Sequence, residues 1–223
     1  MKIFIGIDIS AKRDCAIARI DESGHALGAW WICSRVDDVV QSVMALGHDA
    51  QEIVIGIDSP RVPVNDPRDW YWNRNSANWR LRLPGERGWG RHCEVVLSAL
   101  KLANPQWTPP ESEAPAWMRL GFQLFTALQS LAHVLEVFPT ASYEQLANAR
   151  VPRLVLPLAA FAAGPKDMLD AYVAALTVRE FMNGEGCSVG GGDGLGAIAL
   201  PKRLGAGTAP RLLQWPSSHL QHL

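Results

Sequence analysis

Cysteine is sparse and badly placed for metal chemistry. Cys15, Cys33, Cys93 and Cys187 are scattered along the 223 residues, with no CxxC or Cys/His spacing of the kind zinc requires, and a reducing cytoplasm suits them best. Long apolar runs are also missing: none approaches the roughly 18 residues of a membrane span, so no membrane partner is expected. A secretory leader is not expected either, because Lys2 is followed at once by an apolar run holding a Gly and an Asp. Charge of one sign is lacking, since 21 Lys and Arg stand against 22 Asp and Glu. That balance excludes a non-specific nucleic-acid coat protein and counts against duplex binding. Finally, the glycine-rich stretch Gly184 to Gly196 has no GxxxxGK[ST] pattern, which leaves it as a flexible connection rather than a phosphate loop. With 48% hydrophobic residues, the chain reads as a packed globule with one core.

What the sequence does contain is an echo. Lys2 to Asp8 is KIFIGID and Glu52 to Asp58 is EIVIGID, so Ile-Gly-Ile-Asp occurs twice, each time after β-branched or aromatic residues. Near-continuous apolar runs predict strands covered on both faces, as parallel strands in an α/β sheet are. A parallel pair in register would bring Asp8 and Asp58 to neighbouring strand ends. Strands lie about 4.8 Å apart, so the carboxylates would repel, and at least one would stay protonated unless a cation sat between them. A divalent metal site is the economical expectation.

Between the echoes, Asp14 to Ile20 and His25 to Ser34 predict two further strands around a turn at Asp21 to Gly24. Val36 to Gly47 predicts a helix with Asp37 and Asp38 in its first turn. After Asp58 the texture changes: Ser59-Pro60 and Pro63 forbid a helix, and Asn65 to Trp89 reads as an insertion rather than a sheet element. It concentrates Trp70, Trp72, Trp79 and Trp89 with Arg61, Arg68, Arg74, Arg80, Arg82, Arg87 and Arg91. In the plainer reading the tryptophans fill the insertion's own small core and the arginines form its solvated rim. In the other, Arg61, Trp70 and Arg74 belong to a surface that binds phosphates and stacks bases.

Helical spacing continues at Glu94 to Ala103 and Pro115 to Leu131. His133 to Pro139 predicts a short strand carrying Glu136, and Thr140 to Ala149 a helix capped by Thr140. Pro152 to Gly164 resists assignment. Lys166 to Met182 is a clear helix, with Asp167 and Asp170 three apart on one face and Ala171, Ala174 and Ala175 small enough to let it press on a sheet. Ile198 to Pro201 predicts a last short strand, and the tail ends in His219 and His222. Glu136 could equally pair with an arginine, and Lys166 could bind a phosphate or stay a solvated lysine. Arg91 and Glu94 suit a salt bridge from insertion to core, and Cys93 a packed thiol.

The order strand, strand, strand, helix, strand, with Asp after the first and fourth strands, Glu on a later one and Asp on a terminal helix, resembles the ribonuclease H-like superfamily. The IGID opening and DMLDAYVAALT look like those of Holliday-junction resolvases of that fold. Closer still, GID, IGIDSP, RHCE, EVFP and DMLDAYVAALT are similar to the domain of unknown function 429 family, described as predicted nucleases of ribonuclease H fold. Short blocks carry the resemblance across most of residues 1 to 200. It implies an α/β fold with a mixed sheet, a three-strand meander plus parallel strands, flanked by helices. Residues 1–200 would form one domain with an insertion at 60–115, and 201–223 a tail. It also implies a metal site of Asp8, Asp58 and Asp170, with Glu136 or Asp167 as a further ligand or neighbour. Resolvase-like nucleases commonly place Glu where Asp58 stands.

The expected activity is nuclease cleavage of phosphodiesters in DNA or RNA, structured or single-stranded, with Mg²⁺ or Mn²⁺ on Asp8, Asp58, Asp167 and Asp170. Glu136 would assist catalysis, and Lys166, Arg61, Trp70 and Arg74 would bind substrate. A homodimer stays open. So do two other classes of function, a nucleotide-hydrolysing or phosphotransfer relative and a non-catalytic binding module that keeps the carboxylates.

Overall fold

Strand β1 (Lys2–Asp8) is turned by Ser10, whose hydroxyl accepts from the Lys12 and Arg13 amides, into the antiparallel strands β2 (Cys15–Asp21) and β3 (Ala26–Ile32). Gly24, at φ 85°, makes the second turn. Helix α1 (Val36–Gly47) leads to β4 (Glu52–Asp58). Strands β5 (Trp70–Asn73) and β6 (Asn78–Leu81) follow, then α2 (His92–Ala99), α3 (Ala116–Leu128), β7 (His133–Val137) and α4 (Pro139–Leu146). The chain finishes with α5 (Leu158–Phe161), α6 (Pro165–Met182), β8 (Cys187–Gly190) and β9 (Ala197–Leu200). This computed structural model describes residues 1–146 and 158–216. The end of the helix expected to reach Ala149, residues 152–157 of the unassigned stretch, and His219 and His222 lie outside the described residues.

The main sheet has seven strands in the order β3-β2-β1-β4-β7-β9-β8. Strands β1, β4 and β7 run parallel, and β1 and β4 pair in full register, Gly6 against Gly56 and Asp8 against Asp58. The expected α/β architecture, a meander plus parallel strands between helices, is therefore present. One sheet face carries Ile3, Ile5, Ile7, Ile55 and Ile57 into a core with α1 and α3. The other carries Phe4, Val54 and Val137 into a core with α6.

The two glycines of the echo explain why α6 fits there. A Cβ on Gly6 would lie 1.9 Å from the Ala171 carbonyl oxygen and 2.5 Å from the Ala175 nitrogen. On Gly56 it would lie 2.8 Å from both the Ala174 carbonyl oxygen and Val178 Cγ1. Glycines on the strands and alanines on the helix thus allow backbone to approach backbone, and the fully buried Ala171, Ala174 and Ala175 fill the contact.

The chain divides into two units, one of Met1–Arg61, Pro115–Cys187 and Ala199–Arg203, the other of Val62–Ala114, Ser188–Ile198 and Leu204–Leu223. The second thus joins the expected insertion to segments assigned from sequence to the main domain and the tail. Four local expectations fail. Trp70 to Leu81 is a two-stranded antiparallel hairpin, Trp72 opposite Trp79, because Trp, Tyr and Leu supply the bulky residues that strands favour amid Arg and Asn that hide the pattern. Helix α2 stops at Ala99, with Lys101 just beyond it at φ 58°, well before Pro105. Helix α4 begins at Pro139, so Thr140 is inside it rather than its cap. The Gly184 to Gly196 stretch contains β8.

In the second unit, Arg91 and Glu94 do form an ion pair, at 2.9 Å and almost fully buried. It belongs to that unit rather than linking insertion to core, and it completes a reciprocal cap of α2. The Glu94 carboxylate also accepts from the Thr108 amide at 3.0 Å and from its hydroxyl. Cys93 is buried, with Gly190 packed on it. The ring of Trp79 meets Trp72, His92 and Trp215, and its indole N–H donates to the Arg211 carbonyl at 2.7 Å. Among the described residues no helix is long and apolar enough to cross a membrane.

Candidate metal centre

Parallel register fixes the first two carboxylates. Asp8 and Asp58 close their strands side by side, and since side chains alternate along a strand both fall on the face of Gly6 and Gly56, under α6. Ala171 and Ala174 stand over those glycines, and Asp170 precedes Ala174 by four residues, about one helical turn. Helix α6 thereby delivers a third carboxylate. One carboxylate oxygen from each of Asp8, Asp58 and Asp170 lies within 4.8 Å of the others.

The surrounding charges are unbalanced. Asp170, buried, accepts from the Tyr143 hydroxyl at 2.5 Å and pairs with the Lys166 ammonium one turn earlier on α6. Asp167 pairs with Arg13 at 2.7 Å. Four carboxylates against two cations leave two negative charges when all are ionised. Burial, followed by repulsion from Asp170 and Asp167, pushes the Asp8 carboxyl up to about 7. Burial and then the Asp8 charge raise Asp58 well above the usual carboxylate range, so the two neighbouring carboxyls hold their protons to higher pH than free carboxyls do. Burial disfavours the Lys166 ammonium, but Asp170, Asp58 and Asp8 outweigh it and raise its pKa. Tyr143 is also pushed up, by burial and then by Asp170, and so stays a donor.

A hard divalent cation fits this donor set. It would balance the two excess charges, and three clustered carboxylate oxygens are the ligands Mg²⁺ and Mn²⁺ prefer.

Glu136 goes elsewhere. It pairs with Ile57, one residue short of the Asp58 level, and a one-residue offset turns a side chain to the opposite sheet face. There its carboxylate accepts from the Arg61 amide at 2.9 Å. Arg61 is itself committed, its guanidinium donating to the Val134 carbonyl at 2.8 Å and lying 4.9 Å from the Phe125 ring centroid. Asp167 stays beside the triad, tied to Arg13, and only Lys166 of the expected substrate groups touches a triad carboxylate. Trp70 and Arg74 belong to the hairpin of the second unit, where Arg74 donates to the Ser98 carbonyl at 2.6 Å.

Tyr143 and Arg13 are the site residues that sequence reasoning missed. The available signal was position, because the FPTASY stretch follows β7 immediately and Arg13 sits in the turn after Asp8. No family model, no curated protein and no solved structure matches the chain.

Proposed function

We propose that this protein is a metal-dependent phosphodiesterase of ribonuclease H-like architecture that hydrolyses nucleic acid with Mg²⁺ or Mn²⁺. The observation that carries the reading is the convergence of Asp8, Asp58 and Asp170 within 4.8 Å on two parallel strand ends and a facing helix. Asp8, Asp58 and Asp170 would hold the ion, which supplies Lewis-acid stabilisation of phosphoryl charge and a more acidic water.

The chain's own groups prepare the site. Asp8 and Asp58, both raised by burial and by repulsion from neighbouring carboxylates, would have to give up their remaining protons for an ion to bind. Tyr143 orients Asp170 by donating to one oxygen while the other faces Lys166. Lys166, largely exposed at its side chain, is placed to bring a phosphate oxygen alongside the carboxylates. Arg13 holds Asp167 and tempers its repulsion of Asp8.

Purified protein should cut DNA or RNA when Mg²⁺ or Mn²⁺ is supplied, and Asp8→Asn should abolish cleavage. Cleavage undiminished by Asp8→Asn overturns the proposal. A second reading, a non-catalytic module, is favoured by Lys166, whose ammonium already serves as a built-in cation for Asp170. It predicts that Mn²⁺ releases no heat in titration calorimetry and leaves the melting temperature unchanged.

A further inference from the structure

In the second unit, the hairpin, the loop after it and α2 enclose a cavity of about 360 Å³ bounded by Arg68, Tyr71, Trp72, Arg74, Trp89 and Trp107. Its volume lies at the lower end of the range for small-molecule sites. Four aromatic rings and three guanidinium groups, counting Arg87, meet here, and the one acidic side chain at the wall, Glu86, is already held by both nitrogens of Arg80 at 2.8 and 2.5 Å. The cavity is therefore cationic.

Arg68 marks what is missing. Its guanidinium lies between the rings of Tyr71 and Trp107, 4.3 and 4.7 Å from their centroids, yet its buried Nε and Nη1 have no hydrogen-bond acceptor. Buried donors without an acceptor are rare, and these two, on different edges of the guanidinium, can each take an anionic oxygen. Trp89 carries the exposed Arg87 at 4.5 Å as its ring contact, and Trp72 meets Trp79 edge-on.

We infer that this cavity binds one nucleotide of a single-stranded nucleic acid, the base stacking on Trp89 and Trp72 and the phosphate taken by Arg68 with Arg74 and Arg87. Stacking on aromatic rings inside a basic groove is how single strands are held without sequence preference, whereas a duplex keeps its bases inside. The inference rests on the nucleic-acid reading for its ligand and not on the carboxylate site.

Full-length protein in EDTA is titrated into a fluorescent single-stranded oligothymidine of about twelve nucleotides, a length within the range that such sites cover, and into a duplex of equal length. The single strand should bind more tightly. Trp89→Ala should weaken it about tenfold or more, and Arg87→Gln, a change at an exposed side chain, should reduce the salt dependence by about one phosphate contact. Thymidine monophosphate should displace the oligomer at lower concentration than inorganic phosphate. Equal displacement by phosphate, preference for duplex, or identical binding by wild type and both variants overturns the inference. Should Trp89→Ala lose its fold by circular dichroism, Arg87→Gln and the displacement series decide. Cleavage lost with binding intact faults the carboxylate reading alone, and cleavage intact with binding indifferent to these changes faults the cavity alone.

Discussion

The β1–β4 pair and the β5–β6 hairpin each bring polar groups together, but by opposite routes. In the first, backbone register does the work: seven consecutive pairings place Asp8 against Asp58, and buried strands under a buried helix leave the carboxylates no freedom to separate. In the second, the strands are four residues each and half-exposed, and cations lie on aromatic rings rather than in a fixed polar lattice. Like charges held together by a rigid frame call for a retained proton or a counter-ion. Cations spread over rings and facing a cavity suit a ligand with both a planar group and an anion.

The sharpest way to break the comparison is to remove one rigidly held carboxylate. Asp8→Asn should lower nuclease turnover by about 10³-fold, corresponding to about 4 kcal/mol of lost transition-state stabilisation, while the fold survives by circular dichroism. A comparable loss on replacing Glu136 with Gln would contradict the register argument, because Glu136 lies on the other sheet face. In the second unit the rigid exception is the Arg91 and Glu94 pair. Glu94→Gln leaves the Arg91 charge buried and should cost about 3 kcal/mol in urea unfolding; a change below about 0.5 kcal/mol, the usual surface effect, would show that the pair is not what fixes α2.

The carboxylate site was legible because its determinants are local and periodic. The echo of Ile-Gly-Ile-Asp gave the strands and their matched ends, and Asp170 stood on a helix whose alanines announced close packing. The role of Gly6 and Gly56 in admitting that helix was not legible, since it depends on which helix crosses which strand. Glu136 misled for a related reason: its place in a strand was visible, but its face depends on register with β4, which no single strand reveals. Tyr143 and Arg13 were hidden because their partners are 27 and 154 residues away in sequence. In the second unit the aromatic and basic composition was plain, but the hairpin was not, because Asn and Arg interrupt the alternation that marks a strand.

Packing under α6 can be tested at a finer scale. Gly6→Ala places a methyl against backbone and should destabilise the protein by about 3 kcal/mol, at the upper end for overpacking, because the Ala171 carbonyl cannot move without the helix. Gly56→Ala should cost less, about 1 to 2 kcal/mol, since one of its two close neighbours is the Val178 side chain. Thermal melts of the two variants should keep that order, and the reverse order would place the tighter contact on β4.

The smallest expected effect tests the charge balance itself. In the folded protein without metal, Asp8 keeps its proton up to about pH 7 and Asp58 is raised in the same direction, whereas in the unfolded chain both release it near pH 4. Between those values the folded state binds more protons, so its stability is greatest below about pH 4 and falls as pH rises towards 7. Discounted for solvent screening, the fall attributable to this pair should be about 1 kcal/mol in EDTA. Asp58→Asn removes the proton that must be lost, so it should flatten this slope and raise the melting temperature at neutral pH. Mn²⁺ should do the same to the wild type, because a cation among ionised carboxylates lowers their pKa values and reverses the sign of the linkage. A wild-type slope that rises with pH in EDTA, or one that Mn²⁺ leaves untouched, would mean that Lys166 and Arg13 already neutralise the cluster.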